Sequence, residues 1–346
     1  MSDLNASKVP VQFTDGCAVS DEIAYISSIP DEVDDDIDFA RLFALNSATT
    51  ERWFHHDWNG GRVTSVCLRS ATETIPRAVC ALTEGGAVEI ANSGNQFYER
   101  IAGAGLAPGS RSLGNLRRIR EINGRLYACG AGNQVYERTD LNWNPIDQDL
   151  VVGTGMGREH LVRMLKNPSG QLTEDQLLAV TSAISSAGSL DDIDGTDDND
   201  VYVCGLDGSL WHWNGRSWQK QRFQGDDHLH GIHVVSRAEV WVCGHNGTLL
   251  TGNSEQGFRS LIGTEKSDHF WSIRKFRDKI YLGTARGLYE WNGQALRDVR
   301  LPDAIAFPAI QALDTSSNAL WVFADRFVAR LLNGKWERFN HPDNDD

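Results

Sequence analysis

The stretch DDHLHGIH, residues 226–233, places Asp226, Asp227, His228, His230 and His233 in one short run. Imidazoles and carboxylates so close together are the side chains that hold divalent transition metals or exchange protons near neutral pH. On an extended strand, residues two apart share a face. His228 and His230 can therefore reach one ion, while His233 points the other way unless a bulge intervenes. Zinc takes three or four ligands in tetrahedral array. No second cluster at matching spacing completes the set, and His245 and His269 would have to join it from loops on one rim. His228, His230 and His233 stand as candidate ligands, and the sequence predicts neither a bound metal nor another cofactor.

A second set emerges when isoleucines are aligned. Ile119, Ile193, Ile232 and Ile273 are each followed by a polar residue: Arg120, Asp194, His233 and Arg274. If these isoleucines lie in equivalent strands around an axis, charges of both signs converge on it. Such a cluster either holds a small ligand or satisfies itself, because buried charges require partners. Trp271, at the start of one such strand, is the aromatic best placed to act as a contact anchor on a rim. The candidate binding residues there are Arg120, Asp194, His233, Trp271 and Arg274. The remaining recurrent tryptophans read as packing.

Residues 153–189 supply a third set. The run from Arg158 to Lys166 suggests a short amphipathic helix carrying Arg158, Glu159, His160, Arg163 and Lys166, ended by Asn167-Pro168-Ser169-Gly170. Thr173, followed by Glu174 and Asp175, suits the start of a second helix through Leu177, Leu178, Val180 and Ile184. The segment predicts a helical hairpin that either docks a partner through its basic residues or packs back on its support. The acidic runs IPDEVDDDIDFA (29–40) and DDIDGTDDND (191–200) read as solvated loops, the end of the second as a hairpin turn. Their order of acids does not match a calcium-binding EF-hand loop.

What must position these residues is a repeat. VYVCG (201–205), VWVCG (240–244) and YLG (281–283) place Gly205, Gly244 and Gly283 at intervals of 39 residues, and Leu210, Leu249 and Leu288 keep that step. Further copies lie at 78–101, 126–143 and 320–339, and RWFHHDWNG (52–60) resembles LWHWNG and marks a seventh copy before residue 64. Each copy decodes as four strands. A short first strand carries Ile193, Ile232 or Ile273, a VYVCG-type strand follows, and a SLWHW-type strand turns back through Asn-Gly into a fourth. The Asn-Gly pairs are expected to supply the positive φ angles of two-residue hairpins.

Four antiparallel strands in 39 residues, about seven times over, predict an all-β fold: a β-propeller of seven four-stranded blades. Neighbouring blades in such a ring bury one another's apolar faces. The helical insertion falls between the third and fourth blades, where Gly130 to Gly205 spans 75 residues instead of 39. One propeller domain over 1–340 is expected, with a short acidic tail at 341–346. Residues 9–13 either complete a blade shared by both termini, or the last blade is built wholly from 308–340. Cys80, Cys129, Cys204 and Cys243 fall at one position of four blades and read as small buried spacers.

The repeat resembles bacterial propeller repeats of the form D-V-[WY]-x-V-G-x-x-G-x-[IL]-x-x-W-[ND]-G-x-x-W, found in YVTN-like and Asp-box-related proteins. The resemblance covers residues 64–340 apart from the insertion. It implies a fold and not a function, since this architecture hosts scaffolds, hydrolases, lyases and lectins. TGNSEQGF (251–258) is similar to an Asp-box turn without its Asp, and suits a hairpin turn better than chemistry.

The chain has 346 residues, 40% of them hydrophobic, and a formal charge of −14. No run of basic residues exceeds a pair such as Arg117-Arg118, so nucleic acid and anionic membranes are not expected partners. No signal-peptide pattern, long apolar stretch or Cys-x-x-Cys pair occurs, and a cytoplasmic protein is expected. No nucleophile elbow, phosphate loop or His-Glu-x-x-His motif occurs either. Two function classes remain. The preferred one is a non-catalytic protein-binding propeller, an immunity or assembly protein of bacterial type, whose acidic surface suits a basic partner. The competing one is an axial-channel enzyme, a metal-dependent hydrolase, lactonase or lyase using Asp194 and His233.

Overall fold

A computed structural model describes residues 8–34, 37–151, 188–261, 268–303 and 308–344. Among them, 28 strands form seven four-stranded antiparallel sheets, each laid down in sequence order from one continuous stretch of chain. Blade 1 (β1–β4) spans 11–58, blade 2 (β5–β8) 63–100, blade 3 (β9–β12) 116–145 and blade 4 (β13–β16) 190–220. Blade 5 (β17–β20) spans 229–260, blade 6 (β21–β24) 272–299 and blade 7 (β25–β28) 310–340. The first strand of each blade is innermost. These are β1 (Val11–Ala18), β5 (Val63–Arg69), β9 (Leu116–Ile122), β13 (Leu190–Asp197), β17 (Leu229–Ser236), β21 (Ser272–Phe276) and β25 (Ile310–Thr315). Each touches the next, and β25 touches β1, closing the ring.

The apolar core is divided to match. Each apolar cluster lies between two neighbouring blades, so no blade buries its faces alone. Between blades 4 and 5, for instance, Tyr202 and Leu210 meet Ile232 and Val242. Between blades 7 and 1, Trp321 and Phe323 meet Phe13 and Phe43. This is the mutual burial that the repeat demands.

The recurrent glycine has a steric cause. Gly205 and Gly244 end the second strands of blades 4 and 5, where the pairing register with the first strand shifts. A Cβ on Gly205 would strike the carbonyl oxygen of Ser189, and one on Gly244 that of His228. The four aligned cysteines occupy the second strands of their blades as buried free thiols, and burial pushes the Cys129 and Cys204 thiols well up.

The last blade is built wholly from 310–340, so the closure scheme in which both termini share a blade is not used. Residues 341–344, beyond it, pack back on the first blade. His341 packs on the rings of Phe43 and Trp53. The Asn344 side chain accepts the Val11 N–H at 2.8 Å and donates to the Val11 and Arg326 carbonyls.

Three local expectations are corrected. RWFHHDWNG belongs to the fourth strand of blade 1 (Trp53–Trp58), not to a third strand followed by a hairpin. Only Asn333-Gly334, among the aligned Asn-Gly pairs, forms a two-residue hairpin with both φ angles positive. At Asn214 and Asn292 the turns are longer. There the Asn side chain accepts the two backbone N–H groups that follow in the turn. Finally, most of DDIDGTDDND is strand, not solvated loop: Asp191, Asp192 and Asp194 lie on innermost β13. Of the predicted helical insertion at 153–189, residues 153–187 lie outside those described.

Candidate functional site

Because every innermost strand starts at the same end of the ring, the two faces differ. One carries the turns between first and second and between third and fourth strands. The other carries the longer connections: the acidic segment 29–40, the blade-to-blade crossings, and the departure and return of the chain at Val151 and Gly188. Gly188 and Ser189 already belong to the ring, since their carbonyls accept the N–H groups of Gly132 and Leu206.

On this long-loop face four histidines stack. His228 directly precedes β17, His230 lies within it, His245 sits in the turn after the second strand of blade 5, and His269 precedes β21. Ring centroids are 4.1 Å apart for His228 and His230, 4.6 Å for His230 and His245, and 4.1 Å for His245 and His269. Asp191, at the start of β13 in the neighbouring blade, accepts from His228 Nε2 and from His230 Nδ1, both at 2.8 Å through one oxygen. Its other oxygen faces Arg117 at 3.5 Å. Burial alone would raise the Asp191 carboxyl, but the bonds from His228 and His230, with Arg117 beside them, hold it well below the usual carboxylate range.

The turn that presents His245 is braced. Asp227 accepts from the Asn246 side chain and the Thr248 hydroxyl at 2.8 Å each, and His269 Nδ1 accepts the Asn246 N–H. Asn246 itself is left-handed, at φ 53°, a conformation that Asn tolerates better than most residues. Burial lowers the His245 pKa, and the neighbouring His230, His269 and His228 lower it further, so its neutral form is favoured.

One ring nitrogen from each of His228, His230 and His245 lies within 4.8 Å of the others. His233 is not in this group. Its Nδ1 sits 3.5 Å from Asp194, further along the channel wall. The structure thus joins two of the three candidate ligands to His245, a loop residue, and sets His233 apart.

Arg120, Asp194, His233 and Arg274 lie on the innermost strands β9, β13, β17 and β21, and there they meet partners. Arg120 Nη2 stands 3.3 Å from Asp192, Arg274 Nε 3.2 Å from Asp314, and Arg118 3.3 Å from Asp15 and 3.2 Å from Asp192. Burial would lower the Arg120 pKa, and the charges of Asp192, Asp194 and Asp314 more than reverse that. The same carboxylates also accept backbone N–H groups of the next blade: Asp15 from Val66, Asp192 from Ile232, Asp194 from Val234 and Asp314 from Ala18. A cavity of about 10 Å³ is left among Asp15, Arg118, Arg120, Asp192 and Arg274, room for no more than about one water. The axial charges therefore rivet blades together. Trp271 is half-buried just before β21, its backbone N–H donated to the Gly283 carbonyl.

Sequence reasoning missed Asp15, Asp192, Asp314, Arg118 and Asp191. The signal that finds them is the repeat itself. Equivalent positions of adjacent blades are about one period apart in sequence, and Asp191 meets His230 39 residues on and Asp192 meets Ile232 40 residues on. Arg158, Glu159, His160, Arg163 and Lys166 lie outside the described residues.

No protein-family model matches the chain. Over 256 residues, 74% of this chain and 73% of the relative, it is 26% identical to Immune protein Tsi7 of Pseudomonas aeruginosa. Among solved structures it is similar to the WD40 β-propeller domain of Doa1, with TM-score 0.61, 13% identity, and coverage of 93% of this chain and 92% of that one. It is also similar to YCF48 from Cyanidioschyzon merolae, with TM-score 0.58, 11% identity and 97% of each chain covered. At such identities the structures speak to architecture alone. The chain is a seven-bladed β-propeller whose sequence is similar to that of an immune protein.

Proposed function

We propose that this chain is a non-catalytic immunity protein that binds and neutralises a partner protein on its long-loop face. The observation that carries the reading is the similarity to Immune protein Tsi7 across about three quarters of both chains. The architecture supports it physically. Seven mutually buried blades make a rigid disc, and a rigid surface loses little conformational entropy on binding. The long connections gather on one face, together with both ends of segment 152–187.

The formal charge of −14 supports a basic partner, drawn in by electrostatic steering. The repeat grammar supports kinship with bacterial YVTN-like and Asp-box-related propellers, and the same proposal places the encounter in the cytoplasm. An axial enzyme finds little support, because the axial charges are committed to one another.

The test is co-expression of the full chain with the protein encoded beside its gene, followed by co-purification. A one-to-one complex that weakens with salt and protects cells from that protein is expected. Replacing 153–187 by a short Gly-Ser linker, with Gly188 and Ser189 kept, should reduce binding and leave folding intact. Failure of the neighbour to bind or to be neutralised would overturn the reading.

A further inference from the structure

The immunity reading does not use the histidine stack. We propose that His228, His230 and His245 form a binding site for one divalent transition-metal ion, Zn²⁺ foremost, with Asp191 as the carboxylate behind the ligands.

Three geometric observations support the assignment. First, one nitrogen of each ring already lies within 4.8 Å of the others. A tetrahedral zinc site, with Zn–N bonds of ~2.0–2.1 Å, spaces its nitrogens roughly 3.4 Å apart. Small side-chain rotations close that gap.

Second, Asp191 holds one nitrogen of each of two rings and leaves the other for a ligand. Asp191, as an ionised carboxylate, can only accept, so His228 carries its proton on Nε2 and His230 on Nδ1. The lone pairs left over are on His228 Nδ1 and His230 Nε2. His230 Nε2 is buried with no hydrogen-bond partner, and an orphaned acceptor of this kind is costly unless something binds it. A carboxylate holding the far nitrogen of a ligating histidine is the arrangement that fixes ring orientation and strengthens the ligand at metal centres.

Third, the ligands come from two rigid sources. His228 and His230 belong to the start of an innermost strand. His245 belongs to a turn tied down by Asp227 through Asn246 and Thr248. Three imidazoles are a ligand set suited to zinc, copper, nickel or cobalt rather than to magnesium or calcium. Three protein ligands leave one tetrahedral position for water. His269, whose Nδ1 is taken by the Asn246 N–H, supports the turn from outside.

The experiment uses the full chain without an affinity tag, stripped with chelator and titrated with ZnCl₂ alone at pH 7.5 by calorimetry. Co²⁺ absorption reports the geometry. One Zn²⁺ per chain is expected, with a tetrahedral Co²⁺ spectrum and a melting temperature that rises with Zn²⁺. His230→Asn and His245→Asn should each weaken binding at least ~10-fold, and Asp191→Asn by about 10-fold. His233→Asn should bind as the parent does. If His230→Asn fails to fold, His245→Gln, altered in a surface turn, carries the test. Absence of saturable Zn²⁺ binding would overturn the proposal, as would binding that survives loss of His245 or a loss with His233→Asn equal to that with His245→Asn. A cluster that titrates with pH but takes no zinc would equally overturn it, as a proton-sensitive patch. The zinc titration needs no partner protein, so its failure and that of the immunity reading are separate results.

Discussion

Asp314, on the innermost strand of the last blade, accepts the backbone N–H of Ala18 in the first blade at 2.9 Å, across 296 residues of sequence. Its other oxygen stands 3.2 Å from Arg274 of blade 6. One carboxylate thus ties three successive blades where the ring closes. Replacing it with Ala orphans a backbone donor and leaves a buried guanidinium without its partner. Asp314→Ala should cost about 3–5 kcal/mol, measured by urea unfolding. Asp314→Asn, which keeps an acceptor but not the charge, should cost visibly less. Equal losses in the two variants would mean that the ion pair with Arg274 contributes nothing.

The repeat glycines make a steric prediction. A methyl group at Gly205 meets the backbone carbonyl of Ser189, which cannot rotate away as a side chain would. Gly205→Ala should destabilise the chain by about 1–3 kcal/mol. Gly293→Ala offers a contrast, because it meets no atom within 4 Å and only its positive φ resists the change. Comparing the two by thermal melting separates overpacking from backbone strain.

Asn344 acts as a latch on the first strand. Asn344→Ala removes three hydrogen bonds to Val11 and Arg326, each worth about 1 kcal/mol or less where water can replace it. A fall of about 1–2 kcal/mol is expected, with faster amide exchange at Val11 than at the middle of β9. Unchanged exchange at Val11 would show that the apolar contacts of β1 hold it without the latch.

Stability should fall on both sides of a mildly acidic optimum. Burial would raise the Asp194 and Asp200 carboxyls, but His233 and Arg120 lower the first, and His212 and Thr196 the second, so that both end below the ordinary value. A depressed carboxyl contributes stability that is present above its unfolded pKa, ~3.9, and is lost as pH falls through the folded value. His56 runs the other way. Its bond to Glu89 raises its pKa against burial, so its contribution is complete below its unfolded pKa of ~6.5 and disappears as pH rises through the folded one. Melting curves from pH 3 to 9 should show Asp200→Asn flattening the acid limb and His56→Gln flattening the neutral limb. A parent-like slope between pH 6 and 8 in His56→Gln would remove His56 from this account.

Legibility followed periodicity. Strand order, blade number and the place of Ile193, Ile232 and Ile273 on first strands were readable because a repeat prints each constraint several times. Turn types were less so. Asn214-Gly215 and Asn333-Gly334 share a dipeptide and differ in conformation, because strand pairing, not the dipeptide, sets how many residues the loop contains. The histidine cluster was half legible, since His228 and His230 are near in sequence but His245 arrives by a turn.

The sequence by itself determined the propeller: its spacing of apolar residues and glycines admits short strands, stacked in one order, with one residue after each isoleucine facing inward. Only the tertiary structure decided which charges meet. Asp191 with His228 and His230, Asp192 with Arg118 and Arg120, and Asp314 with Ala18 and Arg274 are contacts between blades. Their partners follow from how the ring twists and closes. Local patterning fixes what each blade is, and only close packing of one blade on the next brings two distant side chains within hydrogen-bond reach.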